Sequence, residues 1–244
     1  MNAEPPAGAF GRLDIAIRRK AYAGASGGTR EALGRLELSL AVGAVGAVVG
    51  PSGCGKTSLL RIVAGLDANF EGAVRLPEAA RLAVVFQEPR LLPWRTLEQN
   101  IRVAAPDIGA GELEWLLSAL GLEGHAKHFP GELSLGLARR AAIARAMAVK
   151  PDLLLLDEPF ASLDAATAER LAGEFAALVE ARAVTTLLVS HDVAMAARLA
   201  DSIFVLSGAP ARLLGRIDVE TPRGAMTPEG LAGVVAAVAR AGLG

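Results

Sequence analysis

Two hydrophobic rhythms divide the chain. Leu13, Ile15 and Ile17 alternate with polar residues across Arg12–Tyr22, and Leu36, Leu38 and Leu40 repeat that period of two; both stretches predict strands with one buried face. Ala44–Val49, Leu82–Phe86, Leu153–Leu156, Thr186–Ser190 and Ile203–Leu206 are short continuous apolar runs, the pattern of strands covered on both faces. Helical spacing runs through Lys56–Leu66, Thr96–Ala104, Gly111–Leu120, Leu135–Val149, Ala165–Ala181 and Val193–Leu199, with breaks at Pro106 and Pro130. Thr227-Pro228-Glu229 opens a closing helix. Gly24–Thr29 reads as a turn, and residues 1–10, rich in Pro, Gly and Ala, as a frayed end. Strands alternating with helices predict an α/β fold with a parallel sheet and helices on both faces. The stretch 88–150 lacks strand patterns and interrupts that alternation as an all-helical insert.

Composition narrows the function classes. The 244 residues are 52% hydrophobic, ample for a core, and 25 basic against 26 acidic side chains leave a net charge of −1. That balance argues against a protein that coats nucleic acid and against a disordered chain. Cys54 is the single cysteine, so no intramolecular disulfide and no multi-cysteine zinc site is expected. The most apolar stretches, Leu36–Gly50 and Leu231–Gly244, fall short of the ~20 residues of a membrane helix, and the first ten residues lack a secretory pattern. His125 and His128 sit three apart without further ligand types nearby, which fits solvated surface histidines.

The first candidate chemistry is Gly50-Pro51-Ser52-Gly53-Cys54-Gly55-Lys56-Thr57, followed by Ser58. It fills every fixed position of G-x-x-x-x-G-K-[ST] between a strand and a helix, the context the motif requires. Glycines let backbone N–H groups converge on an anion, and the helix start adds partial positive charge. Lys56 supplies a point charge for β- and γ-phosphates, and the Thr57 hydroxyl a ligand for Mg²⁺. A ligand-free turn has no use for Lys-Thr after the third glycine. Cys54 occupies a free position of the loop as a small spacer.

The second is Leu153-Leu154-Leu155-Leu156-Asp157-Glu158. Four apolar residues ending in two acids describe a buried parallel strand whose carboxyl end faces a ligand crevice. Asp157 there suits Mg²⁺, and Glu158 suits polarising an attacking water.

With these motifs in order, the chain resembles the ATP-binding subunit of an ABC transporter over nearly its whole length. Gln87 matches the Q-loop glutamine, a ligand of Mg²⁺ and water; Ser162-Leu163-Asp164 matches the D-loop, which in this family meets the partner subunit; His191 matches the switch histidine at the γ-phosphate; and Tyr22 stands where the family places an aromatic on adenine. Leu133-Ser134-Leu135-Gly136-Leu137 stands at the signature, whose common form is LSGGQ. Ser134 and Gly136 are kept, whereas Leu135 and Leu137 replace a glycine and a glutamine. Ser134 is a good N-cap for the run that follows.

The resemblance implies a P-loop NTPase core of mixed, mainly parallel sheet with helices on both faces, a small antiparallel β subdomain and an inserted all-helical subdomain. Within one ABC ATPase domain, 1–244, it assigns 10–87 and 151–244 to the nucleotide-binding core and 88–150 to the helical signature subdomain. It implies ATP and Mg²⁺, a second copy of the subunit whose Ser134 and Gly136 close on ATP in trans, and membrane permease subunits. It further implies a periplasmic or lipid-anchored solute-binding protein, no nucleic-acid partner, and a peripheral position on the cytoplasmic face of the inner membrane. The loop Gln87-Glu88-Pro89-Arg90-Leu91-Leu92-Pro93-Trp94-Arg95-Thr96 is similar to that of bacterial importers for nitrate, alkanesulfonates and taurine. Its two prolines and apolar tip at Arg90–Trp94 suit docking on a permease helix. An exporter or lipid-transport ATPase is the alternative within the family. A soluble ABC ATPase acting on ribosomes or DNA fits less well, since the chain shows neither tandem domains nor long heptad runs. The tail after Gly208 is too short for a large regulatory domain.

Overall fold

The computed structural model describes residues 12–23, 28–76, 80–223 and 225–242. The expected frayed end at 1–10 and most of the 24–29 turn lie outside the described residues. Ten strands and seven α-helices follow one another among the described residues: β1 (Arg12–Ala23), β2 (Thr29–Leu33), β3 (Leu36–Ala41), β4 (Val45–Val49), α1 (Lys56–Val63), β5 (Glu71–Arg75), β6 (Leu82–Val85), α2 (Leu97–Ala104), α3 (Ala110–Ala119), α4 (Leu135–Ala148), β7 (Leu153–Asp157), α5 (Ala165–Arg182), β8 (Thr185–Ser190), α6 (Val193–Leu199), β9 (Ser202–Leu206), β10 (Leu213–Asp218) and α7 (Pro228–Arg240).

The larger sheet has six strands in the order β10-β9-β4-β8-β7-β6. All its pairings are parallel except β10 against β9. Every residue of β4, β7, β8 and β9 is buried, which explains their continuous apolar runs. Alternate side chains of these strands serve two separate cores. Val45, Leu154, Leu156 and Val205 face one core with α4, α5 and α6. Val48, Leu153, Leu155 and Phe204 face the other with α1 and the inner face of a second sheet.

That second sheet is four-stranded and antiparallel. β1 pairs β3 along its first half, β2 near its end, and β5 on its other edge. Leu13, Ile15 and Ile17 of β1, with Leu36, Leu38 and Leu40 of β3, all enter the α1-side core, as the period-two pattern predicts.

Helix α1 is shorter than the run Lys56–Leu66. Ala64 caps it, and Gly65 turns left-handed at φ 70, with Gly65 and Leu66 N–H groups closing back on the Ile62 and Arg61 carbonyls. Between β6 and β7 the described residues hold only helices: α2, α3, a short 3₁₀ turn and α4. Thr96 and Gln99 form a reciprocal capping box at the start of α2, and Ser134 caps α4 by accepting from Leu137 N–H at 3.3 Å. No helix among the described residues is long and apolar enough to cross a membrane.

Candidate functional site

The carboxyl ends of the parallel strands converge. β4 runs into Gly50, β7 ends in Asp157, β8 ends in Ser190 just before His191, and Gln87 follows β6. The ladder sets Val49 beside Ser190 and Asp157 beside Val189, so these ends share one edge of the sheet.

From Gly50 the chain turns into α1. Gly53 (φ 73) and Gly55 (φ 121) adopt left-handed backbone, and a Cβ on Gly55 would stand 2.7 Å from Leu33 Cδ2 and 2.9 Å from the Ala32 carbonyl oxygen. Strand β2, absent from the sequence reading, is what makes Gly55 obligatory. Cys54 is buried with its sulfur near Gly50, consistent with a spacer. Lys56 is buried beside the loop, donating to the Gly50 and Pro51 carbonyls at 2.8 and 3.0 Å, with Nζ 4.0 Å from Glu158 Oε1. Thr57 Oγ1 donates to Asp157 Oδ1 at 3.2 Å, so loop and strand end are one constellation.

Burial raises the Asp157 carboxyl above its ordinary range; the Thr57 bond opposes that shift and the Glu158 charge adds to it. Two carboxylates beside one lysine, with a hydroxyl between strand and loop, form a hard-oxygen set short of positive charge. Among the described residues no group of three or more His, Cys, Asp or Glu converges into a cage. Such a set fits Mg²⁺, which takes few protein oxygens and completes its shell with phosphate and water.

Glu158 adopts φ 48, and its N–H donates to the Val189 carbonyl at 3.0 Å. Left-handed backbone at a non-glycine residue costs about 1–3 kcal/mol and persists where surroundings over-determine it. The turn aims the carboxylate at His191, whose Nδ1 lies 2.8 Å from Oε2. A carboxylate only accepts, so Nδ1 carries the proton, and Nε2 is the ring nitrogen left free. Ser162 repeats the left-handed backbone at φ 61, and Asp164 then caps α5 by accepting from Thr167 N–H. That bond holds the Asp164 carboxyl below its ordinary value.

Tyr22 reaches α1: its hydroxyl stands 3.1 Å from Ser58 Oγ and 3.0 Å from Asp67 Oδ2, and Lys20 Nζ lies 4.4 Å from its ring centroid. Lys20 is buried and donates to Asp67 Oδ1 at 2.6 Å and to the Asn69 carbonyl at 2.7 Å. The sequence reading missed Lys20 and Asp67: Lys20 lies out of phase with Leu13, Ile15 and Ile17, past a register shift in β1, so the period-two pattern does not mark it as buried. Gln87 is exposed. Ser134 and Leu135 are exposed at the start of α4, while Leu137 packs against the core and Gly136 lies close to Leu163 and Thr167. His125 and His128 are not solvated as expected: both are half-buried, with ring centroids 5.0 Å apart and planes tilted by 55°, and their Nδ1 atoms are out of reach of water.

A phosphate loop joined to an Asp-Glu strand end on a sheet with two covered faces defines a P-loop ATPase. The ABC transporter family model matches residues 33–161, and the chain belongs to that family. It is 45% identical over 219 residues to aliphatic sulfonates import ATP-binding protein SsuB 2 of Burkholderia lata, covering 86% of this chain and 78% of that protein. The like-named protein of Pseudomonas syringae pv. tomato is 44% identical over 219 residues, covering 88% and 89%. The dimeric structure of MJ0796, a bacterial ABC transporter cassette, superposes with a TM-score of 0.76 at 26% identity, covering 86% of this chain and 99% of that one. MJ0796 bound to ADP and Pi in a post-hydrolysis state superposes with a TM-score of 0.73, also at 26% identity. ATP is therefore the substrate and its hydrolysis the reaction.

Proposed function

We propose that this chain is the energising subunit of an importer for aliphatic sulfonates or a closely related small oxyanion such as taurine or nitrate. The observation that carries this reading is the 44–45% identity to aliphatic sulfonate import ATP-binding proteins over 86–88% of the chain. The loop after Gln87 supports it: Trp94 at its tip is 69% exposed, the surface a membrane subunit would cover.

In this reading the backbone of Gly50–Gly55, with Pro51, Ser52, Gly53 and Cys54 between them, cradles the phosphates. Lys56 leaves the Gly50 and Pro51 carbonyls for β- and γ-oxygens, and Thr57 and Ser58 open the helix beside them. Thr57, Asp157 and Gln87 would hold Mg²⁺, which would supply positive charge to neutralise the transferred phosphoryl. Glu158 takes the proton of the attacking water, and His191, held through Nδ1–H by Glu158, contacts the γ-phosphate in its doubly protonated form, donating from Nε2–H. Tyr22 offers a ring to adenine.

Two copies pair so that Ser134 and Gly136 of each close on the other's nucleotide while Asp164 lies at the shared surface. An isologous dimer follows if both copies are this chain. Permease subunits dock near Arg90–Trp94, which puts the dimer on the cytoplasmic face of the inner membrane, with a periplasmic or lipid-anchored protein delivering the solute.

The test is alkanesulfonate uptake into proteoliposomes that hold this chain with its co-purified membrane subunits. Uptake should require ATP, and Trp94→Ala should abolish it while the isolated subunit still binds ATP. ATP-driven efflux, or loss of ATP binding by the isolated Trp94→Ala subunit, overturns the reading.

A further inference from the structure

The loop between β6 and α2 is pinned at two points by side chains that the phosphate chemistry does not use. Arg145, near the end of α4, donates from Nη1 to the Arg90 carbonyl at 2.8 Å and from Nη2 to the Pro89 carbonyl at 3.0 Å. Asn100, buried on α2, accepts the Leu92 N–H at 2.7 Å on Oδ1. Its Nδ2 faces the carbonyls of Leu92, Arg95 and Thr96 at 3.0–3.1 Å. Together these two side chains engage the main chain of five loop residues. The loop needs such holding, because Arg90 has φ 47, a left-handed backbone that a non-glycine residue keeps only where surrounding contacts over-determine it. The Arg90 guanidinium over the Phe86 ring, 4.1 Å from its centroid, ties the same residue to the end of β6.

The two clamps arise on helices packed in one apolar cluster that includes Ile101 of α2 and Ile143 of α4. The opposite end of α4, about 16 Å from Arg145 along the helix axis, is the end that Ser134 caps. A single rigid element therefore has the signature serine at one end and a two-pronged grip on the Trp94 loop at the other.

We infer that Arg145 and Asn100 are positioning residues for energy coupling. They transmit displacement of α4, set by nucleotide at its start, to the permease-facing tip through hydrogen bonds to the loop main chain. Neither touches nucleotide or solute. The inference rests on the reading of this loop as the permease contact.

The experiment compares Arg145→Met, Arg145→Lys and Asn100→Ser in the assembled complex, with alkanesulfonate uptake and ATP hydrolysis read from the same proteoliposomes. Arg145→Met should leave ATP affinity and basal hydrolysis of the isolated subunit within about twofold while uptake per ATP falls about tenfold, the range of a coupling position. Arg145→Lys, which still donates to carbonyls, should recover most of the ratio, and Asn100→Ser should lose it independently of any charge. A normal uptake-to-hydrolysis ratio in both Arg145→Met and Asn100→Ser overturns the inference. So does a parallel loss of ATP affinity in the isolated variants, the mark of a merely structural role. Trp94→Ala separates the two readings: if it uncouples while the clamp variants do not, only the clamp fails, and if it transports normally, the docking surface itself is wrong.

Discussion

Glu158 Oε2 lies 2.8 Å from His191 Nδ1 while Glu158 Oε1 stands 4.0 Å from Lys56 Nζ, so one carboxylate joins the phosphate loop to the residue after β8. Glu158→Gln keeps an oxygen for the histidine N–H and removes the proton acceptor. The variant should bind ATP with near-normal affinity and hydrolyse it at least ~100-fold more slowly, the scale of a lost general base. A nucleotide-binding titration beside a single-turnover assay checks this, and normal turnover removes Glu158 from the role.

Asp67 gives a stability prediction with a pH signature. The Lys20 bond, then the Tyr22 hydroxyl and the Asn69 N–H, hold its carboxyl below the ordinary 3.8 against the opposing effect of burial. A depressed folded-state value means that the stabilisation is complete above the unfolded value and is lost as pH falls through the folded one. Asp67→Asn leaves the buried Lys20 ammonium without its counter-charge, so at neutral pH the fold should lose about 3 kcal/mol. For a chain of this size that is roughly 6–12 °C in melting temperature. The gap between variant and parent should shrink below pH 4. A gap that stays constant into acid, followed by thermal melts across pH, would show that the ion pair contributes nothing.

The phosphate loop separates conformational from steric need at two glycines. Gly53 is left-handed with open space around its Cβ position, so Gly53→Ala should cost about 1–2 kcal/mol from backbone strain alone. Gly55 has the same demand plus Leu33 and the Ala32 carbonyl inside contact distance. Gly55→Ala must push β2 away, and should cost at least about 3 kcal/mol and abolish ATP binding. Equal melting temperatures for the two variants would contradict the packing of β2 on the loop.

What was legible in the sequence follows from how each part is buried. β4, β7, β8 and β9 are covered on both sides, so their apolar runs are unbroken. β5 is an edge strand of EGAVR with only Val74 half-buried, and β10 alternates half-buried with exposed residues, so neither leaves a run to recognise. β2 has one buried residue, Leu33, directly after a turn-like stretch. The phosphate loop and the Asp157-Glu158 strand end are contiguous in sequence and were readable as motifs. The Lys20–Asp67 pair is not contiguous, and Arg145 and Asn100 act on main-chain carbonyls that carry no side-chain signature.

Leu135 and Leu137 are the two departures from the family pattern LSGGQ, and Leu135 is the exposed one. Leu135 opens α4, stands 47% exposed, and contributes no buried packing to either core. Ser134 caps the helix through Leu137 N–H, a backbone group that any residue but proline supplies, so the cap does not depend on the leucines. The Leu135 side chain is therefore exposed at the helix start, where a glycine would allow a closer backbone approach. Leu135→Gly should hold or raise ATP turnover of the dimer. It should lower the melting temperature slightly, since glycine costs up to about 1 kcal/mol in a helix relative to a good helix former. Turnover and melting temperature measured on the same preparation separate the two effects. A large drop in turnover without unfolding would mean that the leucine side chain itself is needed for turnover.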